Sequence, residues 1–443
     1  MAKPTKFIVT ETDEFLTSHS GLAMIGTLTE ESGMRKKLKD VLPRKKEGSC
    51  DSCDALVAMA GLLSLAKPDF SAIEQFREDD YFQCSLGLND VPSEPTLRQR
   101  LDEIAVKPHV SDILLESSAT ILHNHAPRLT PCFKDYVAID ADVSPFDNSG
   151  TKKEGVSCTY KLVDGYAPIF AYIGDEGYLL NVELRQGKQH CQNGTPEFLR
   201  RSFELAKKVT DKPLVVRLDS GNDDIENVRV CRKAKVDFII KRNLHKESVE
   251  EWLLDAQAYG QWRTPREGKT VYVGDTVRQR AGKSIRVVFE VIHRTMTRDG
   301  QVLMVPEIEV NTWWTSFGVR KATFDEIIAM YRDHGTSEQF HSEIKSDMAL
   351  ERLPSGKFAT NALILTLAAP VFNMLRLCGQ VALGNGFMPR KKVARRRLRT
   401  VIQDLMYMAA RIVGHARRIY IAFSRKNPLR HAWMQTYLAF TST

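Results

Sequence analysis

The sequence predicts an α/β protein: a mixed sheet flanked by helices, with a β-rich insertion subdomain and helical regions at both ends. Three observations carry this. The hydrophobic period changes from helical to strand-like near residue 131. Strand-like runs there give way to alternating helix and strand. A turn-separated β segment at 244–310 then breaks the alternation.

The elements follow in order. Residues 1–130 read as helical after a short extended start, a DNA-binding or dimerisation region. LTEESGMRKKLKDVL is amphipathic, and CDALVAMAGLLSLA is apolar on every side, as a buried helix must be. In SEPTLRQRLDEIAV, Pro95 suits a helix start, with Arg98 and Arg100 close to it. The first part of the mixed-sheet core spans 131–243. DYVAIDADVSPF is a strand, and GVSCTYKLVDGY, APIFAYIG and GYLLNVEL are strand-like runs punctuated by Gly165, Gly174 and Gly177. PEFLRRSFELAKKVT and DDIENVRVCRKAK alternate as helices with the strands PLVVRLD and VDFIIKR. The insertion holds KTVYVGDTVRQR, SIRVVFEVIHR and VLMVPEIEV. The core resumes over 311–380, where a long helical stretch, 322–353, bends near Gly335. Helices fill the basic region 381–443, including all of 391–423.

The chain's 443 residues imply two to four structural units. The longest apolar run, 359–377, is broken by Asn361, Pro370, Asn373 and Arg376, so no membrane span or membrane partner is expected. MAKPTKF lacks a following apolar stretch, so no signal peptide is expected either. Eight scattered cysteines fit a reducing cytosol better than a disulfide framework. No GxxxxGK[ST] loop is present, which argues against a nucleotide cofactor. Cys50-x2-Cys53 is half a zinc site without a second pair nearby.

Charge is unevenly placed. Residues 381–430 hold 13 Lys and Arg against Asp404 alone, a local +12, so the rest of the chain carries −4 of the total +8. Concentrated basic charge is the footprint of a polyanion partner; a solvated helix face is the alternative. Arg395, Arg396 and Arg397 are the candidates for contacting DNA phosphates.

Acidic residues mark a possible centre. Alternation puts Asp140 and Asp142 on one face of the first strand, and Asp219 ends the buried strand LVVRLD. Carboxylates at the ends of adjacent strands converge where open sheets bind ligands. Tyr331, His334, Glu338, His341 and Lys345 are spaced by three, four, three and four, sharing one helix face. Such carboxylates can hold two Mg²⁺ ions roughly 3.5–4 Å apart, with Mn²⁺ as a substitute, for phosphodiester chemistry.

At these residues the sequence resembles the DDE transposases of bacterial insertion sequences, in the cut-and-paste group whose third acid lies in a Y-x2-R-x3-E-x6-K helix. Here the helix reads Tyr331, His334, Glu338, Lys345. The strings DADVSPFDNSGTKKEGVSCTYKLVDGYAPIFAYIG, ELRQGKQHCQNGTPEF and VVRLDSGND share the resemblance, which covers 131–380 well and the ends more loosely. It implies an RNase H-like core and a catalytic, metal-binding triad of Asp219, Glu338 and either Asp142 or Asp140. It implies DNA contacts from Tyr331 and Lys345, and base stacking by Trp313 and Trp314, for which core packing is the alternative. It also implies binding to terminal inverted repeats, strand cleavage and transfer on double-stranded DNA, a homodimer in the DNA complex, and a bacterial, cytoplasmic, nucleoid-associated setting. One departure stands out: His334 replaces the signature arginine, while Arg332 lies two residues earlier. Histidine binds phosphate only when protonated. The rival readings are an RNase H-like endonuclease without strand transfer and a catalytically decayed DNA-binding copy.

Overall fold

The computed structural model describes residues 6–42, 50–245, 247–384, 386, 393, 395–416 and 418–442. The N-terminal region contributes β1 (Leu16–Thr17), then α1 (Leu22–Glu31), α2 (Met34–Lys39), α3 (Ser52–Ser64), α4 (Asp80–Ser85), α5 (Glu94–Ala105) and α6 (Val110–His125). Every residue of α3 is buried, as its unbroken apolar sequence requires. Asp51 starts it by accepting the Cys53 amide at 2.7 Å.

The central sheet begins with β2 (Val137–Val143). Short strands β3 (Phe146–Asp147), β4 (Ser157–Cys158) and β5 (Asp164–Tyr166) form a side sheet in the order β3-β5-β4. Then come β6 (Ile169–Ile173), β7 (Tyr178–Glu183), α7 (Thr195–Val209), β8 (Leu214–Leu218), α8 (Ile225–Ala234), β9 (Asp237–Lys241) and α9 (Val249–Tyr259). The strands β10 (Gln261–Arg266), β11 (Lys269–Arg280), β12 (Lys283–Met296) and β13 (Val302–Thr315) complete a nine-stranded sheet. Its order is β10-β11-β12-β13-β9-β8-β2-β6-β7, with β2, β8 and β9 parallel at the centre. The expected β-rich insertion is therefore an extension of the core sheet, joined where Trp313 of β13 pairs with Lys241 of β9.

The long helical stretch after the sheet changes pitch three times. α10 (Phe324–Arg332) passes into a 3₁₀ turn, Asp333–Thr336, then α11 (Ser337–Ser342), then a π turn, Glu343–Asp347. The bend expected near Gly335 falls in the 3₁₀ turn. Next, α12 (Phe358–Gly384) is long and apolar enough to cross a membrane, contrary to the expectation from its polar interruptions. Nearly all of its apolar stretch is buried inside the protein, against α3, α5, α6 and β7. The interrupting residues find partners there: Asn373 bonds both the amide and the carbonyl of Leu179, at 2.8 and 2.7 Å, and Arg376 pairs with Glu343.

The C-terminal region corrects another expectation. Instead of continuous helix through 391–423, the described residues form α13 (Leu398–Val401), a π turn, and the hairpin β14 (Ala410–His415) and β15 (Arg418–Ala422), before α14 (Arg430–Thr441). Ile412, Val413, Ile419 and Ile421 suit a pleated surface, and β1 from the other chain end offers β14 an edge. One hydrophobic core runs from Leu22 to Phe440, with a smaller one beneath β11–β13 and α10.

Candidate active site

Strand register separates the acids that alternation alone could not. Asp140 of β2 lies beside Arg217 of β8, and Ala141 beside Leu218. One step further along, Asp142 and Asp219 stand at the adjoining ends of the same two strands. The first pair is compensated: Arg217 grips both Asp140 oxygens at 2.6 Å, and His334 Nδ1 lies 2.8 Å from Oδ1. Burial alone would raise the Asp140 carboxyl, but Arg217 and His334 hold it at about 2. The second pair has no such cation. Burial and the Asp142 charge raise the Asp219 carboxyl, against a 2.6 Å hydrogen bond donated by Asn222. Burial also opposes ionisation of Asp142, yet His341 beside it brings that carboxyl below its usual range. His341 Nε2 is 3.6 Å from Asp142 Oδ2, an ion-pair distance, and this buried nitrogen makes no hydrogen bond.

His334 and His341 both face the sheet, and Glu338 lies between them along the chain, exposed and without an ion-pair or hydrogen-bond partner among the described residues. Lys345 in the π turn donates to the Pro145 carbonyl at 2.6 Å. Its ammonium is lowered by burial, which the nearby Asp142 and Glu351 only partly offset. Tyr331 is half-buried against Trp313.

Several expected contacts are differently placed. His334 is buried and bonded to Asp140, so it is no phosphate ligand. Arg332 pairs with Glu290 of β12, on another side of the helix. Trp313 and Trp314 are buried at 3 and 4% exposure, so neither offers an open ring for stacking. Trp314 donates to Asp223 at 2.9 Å and lies under Arg242 and Arg280, which is the core-packing alternative. Arg395, Arg396 and Arg397 are engaged by acids, Glu343, Asp404 and Asp347 respectively, because the buried Glu343 and Asp347 need cations.

Sequence reasoning missed Arg217, although a lone charge inside the apolar run LVVRL was a readable signal, since a buried charge needs a partner. It also missed Tyr160, for which no signal existed. The Tyr160 hydroxyl donates to the Val143 carbonyl at 3.2 Å, with much of its ring exposed. Burial and then Asp142, Asp219, Cys191 and Glu338 push its phenol up to about 12. Cys191 and Gln192 both donate to the Gly221 carbonyl, at 2.8 and 2.7 Å, and brace the loop after Asp219.

No three His, Cys, Asp or Glu side chains among the described residues stand close enough to hold a metal ion, so Glu338 does not complete a ligand set with the two strand-end acids. Asp142 and Asp219 themselves suit a divalent cation: hard oxygen donors, two like charges, and an Asp219 carboxyl whose ionisation burial and Asp142 resist.

Acids at two adjoining strand ends, with a third on a flanking helix, are hard oxygen donors of the kind that suit divalent cations and phosphodiester chemistry. The chain belongs to the family described as transposase DDE domain group 1, which matches residues 4–442, and is thus a DNA-cleaving transposase that uses divalent cations. Comparison with curated proteins gave no match. Among solved structures it is similar to a piggyBac transposase in a synaptic complex with hairpin DNA, at 12% identity and a TM-score of 0.38, over 90% of this chain and 82% of that one.

Proposed function

We propose that this transposase binds the terminal inverted repeats of an insertion sequence as a homodimer in the cytoplasm, and that Asp142, Asp219 and Glu338 are its catalytic triad. The observation that carries the assignment is the contrast between the two steps of the sheet: Asp140 is neutralised by a bidentate Arg217, whereas Asp142 has only His341 at 3.6 Å and Asp219 has no ion-pair partner among the described residues. Asp140 is therefore left out of the triad.

Two Mg²⁺ ions held there, or Mn²⁺ in their place, would supply activation of the attacking hydroxyl and stabilisation of the leaving oxygen. Water attacks the phosphodiester at the element's end, and the P–O3′ bond breaks to free a 3′-hydroxyl. That hydroxyl then attacks a target phosphodiester: a new P–O3′ bond joins the element's end to the target as the target's own P–O3′ bond breaks and frees a target 3′-hydroxyl. Lys345, held by the Pro145 carbonyl near Asp142, presents a cation to the phosphates. The exposed ring of Tyr160 supplies a stacking surface beside the acids in the place of the buried tryptophans.

The test uses DNA carrying the element's two ends, with Mg²⁺. Asp142→Asn, Asp219→Asn and Glu338→Gln should each bind this DNA normally and lose cleavage by about 10³-fold or more. Normal cleavage by any of the three refutes the triad. A pre-cut end supplied with a target plasmid should give joined product; its absence would leave an endonuclease without strand transfer.

A further inference from the structure

We propose that Asp140, Arg217 and His334 form a positioning site that anchors the segment leading to Glu338 against the sheet, so that the third carboxylate starts from a fixed place and closes on Asp142 and Asp219 only when a cation is bound. The inference rests on the triad assigned above and adds the device that assembles it.

The three side chains are buried, at 3, 2 and 8% exposure, and come from three different elements. Both Asp140 oxygens are occupied: Oδ1 by Arg217 Nε and His334 Nδ1, Oδ2 by Arg217 Nη2. The remaining guanidinium nitrogen, Arg217 Nη1, donates to the Met330 carbonyl at 2.7 Å. The cluster therefore grips the chain twice, at Met330 in the last turn of α10 and at His334 in the 3₁₀ turn. Those two points flank the start of the change in pitch. Glu338 lies four residues beyond the second.

That location matters because a 3₁₀ turn is a weak, poorly bonded piece of helix. Without outside contacts, a small change in its winding would rotate everything downstream, Glu338 included. Further on, the Tyr172 hydroxyl lies 3.3 Å from His341 Nδ1, which fixes the far side of the same segment. Glu338 sits between two tethers to β2 and β6.

Stability is a poor reason for such a cluster. Well-packed apolar residues of similar volume commonly do as well as a buried ionic group or better. What a bidentate guanidinium–carboxylate pair adds is direction, because it fixes both distance and orientation. Direction is what a carboxylate about to share a cation requires, since a misplacement of about 1 Å can cost about 10²-fold in rate.

The experiment maps the cation site directly. Full-length protein is loaded with Fe²⁺ in place of Mg²⁺ and treated with ascorbate and peroxide, so that radicals cut the backbone beside the bound ion. The unaltered protein should be cut near Asp142, Asp219 and Glu338. His334→Leu should keep the first two cuts and lose the third. Its turnover in DNA cleavage should fall by about 10²-fold while the KM for DNA stays within about twofold. His334→Asn, whose amide can donate to Asp140 from a similar position, should restore the third cut. If His334→Leu does not fold, Arg217→Lys, which keeps the charge but loses the bidentate grip, is read in the same way. A His334→Leu protein with the third cut and normal turnover overturns the positioning site alone. An unaltered protein with no cut near Asp142 or Asp219 overturns the triad, and the positioning site with it.

Discussion

The most consequential residue-scale feature is that Asp142 and Asp219 repel each other in the protein without metal. Activity and stability should therefore diverge there. Asp219→Asn removes one of two like charges and keeps the shape, so the metal-free protein should melt slightly higher, by about 1 °C, while cleavage is lost. Excess Mg²⁺ should raise the melting temperature of the unaltered protein, since an ion at 100 times its dissociation constant stabilises by about 2.7 kcal/mol, and should leave Asp142→Asn and Asp219→Asn unmoved. Differential scanning fluorimetry with and without Mg²⁺ checks both; an equal Mg²⁺ response in all three proteins would place the ion elsewhere. At this scale the sequence was partly legible. Asp219 lies at its strand end as expected, but the single helix face expected for Tyr331, His334, Glu338, His341 and Lys345 is broken by the 3₁₀ and π turns, which leave His334 and His341 buried and Glu338 exposed. Asp140 and Asp142 could not be told apart, because alternation gives them one face and only the register with β8 shows which one meets Arg217. His334 was misread for a related reason: its motif position suggested phosphate, while its actual partner lies nearly two hundred residues away.

At the scale of elements, the placement of α11 depends on contacts that no local pattern reveals. Gly177, in the β6–β7 turn, has a positive φ of 69°, and the Phe340 ring of α11 occupies the space a side chain there would need. Gly177→Ala should cost about 2–4 kcal/mol from backbone strain and overpacking together, and should reduce DNA cleavage by displacing α11. Urea denaturation and a cleavage assay would register both; an unchanged midpoint would mean that the turn yields freely. The π turn after α11 rests on Glu343, buried between Arg376 of α12 and Arg395. Arg376→Met should cost about 3–5 kcal/mol because it leaves a buried charge short of a partner, and adding Glu343→Leu should recover much of the loss. If the double variant is no more stable than the single one, the pair is not the source of the cost. The C-terminal hairpin belongs to this scale too. Its basic, helix-like sequence hid a strand that forms because β1, almost four hundred residues earlier, lies beside it.

Across the whole molecule, the regions legible in the sequence are not independent bodies. The period change near 131 marks a real change of secondary structure, whereas at 244 the expected β segment is preceded by the helix α9 and begins only at Gln261; neither marks a gap in packing. The insertion shares the catalytic sheet through β13 and β9. The N-terminal helices share a core with α12, which covers β7 on one side and meets α3, α5 and α6 on the other. Burial of this 27-residue helix thus depends on elements from both sides of the catalytic core. Removing residues 1–125 should uncover a long apolar surface, well beyond the few hundred Å² that soluble monomers tolerate, and the remaining chain should aggregate. The full chain should accordingly lose its N-terminal and catalytic signals together on heating, in one transition rather than two. Near-UV circular dichroism and tryptophan fluorescence, followed on the same melt of a Trp433→Phe variant, report on the two regions: Trp433 lies in α14, which packs on α1, whereas the other four, Trp252, Trp262, Trp313 and Trp314, lie in the insertion sheet and its helix, and the N-terminal helices contain tyrosine and phenylalanine but no tryptophan. A soluble, cooperatively folding fragment 131–384 would show that the catalytic core stands alone and that α12 does not need the helices packed against it.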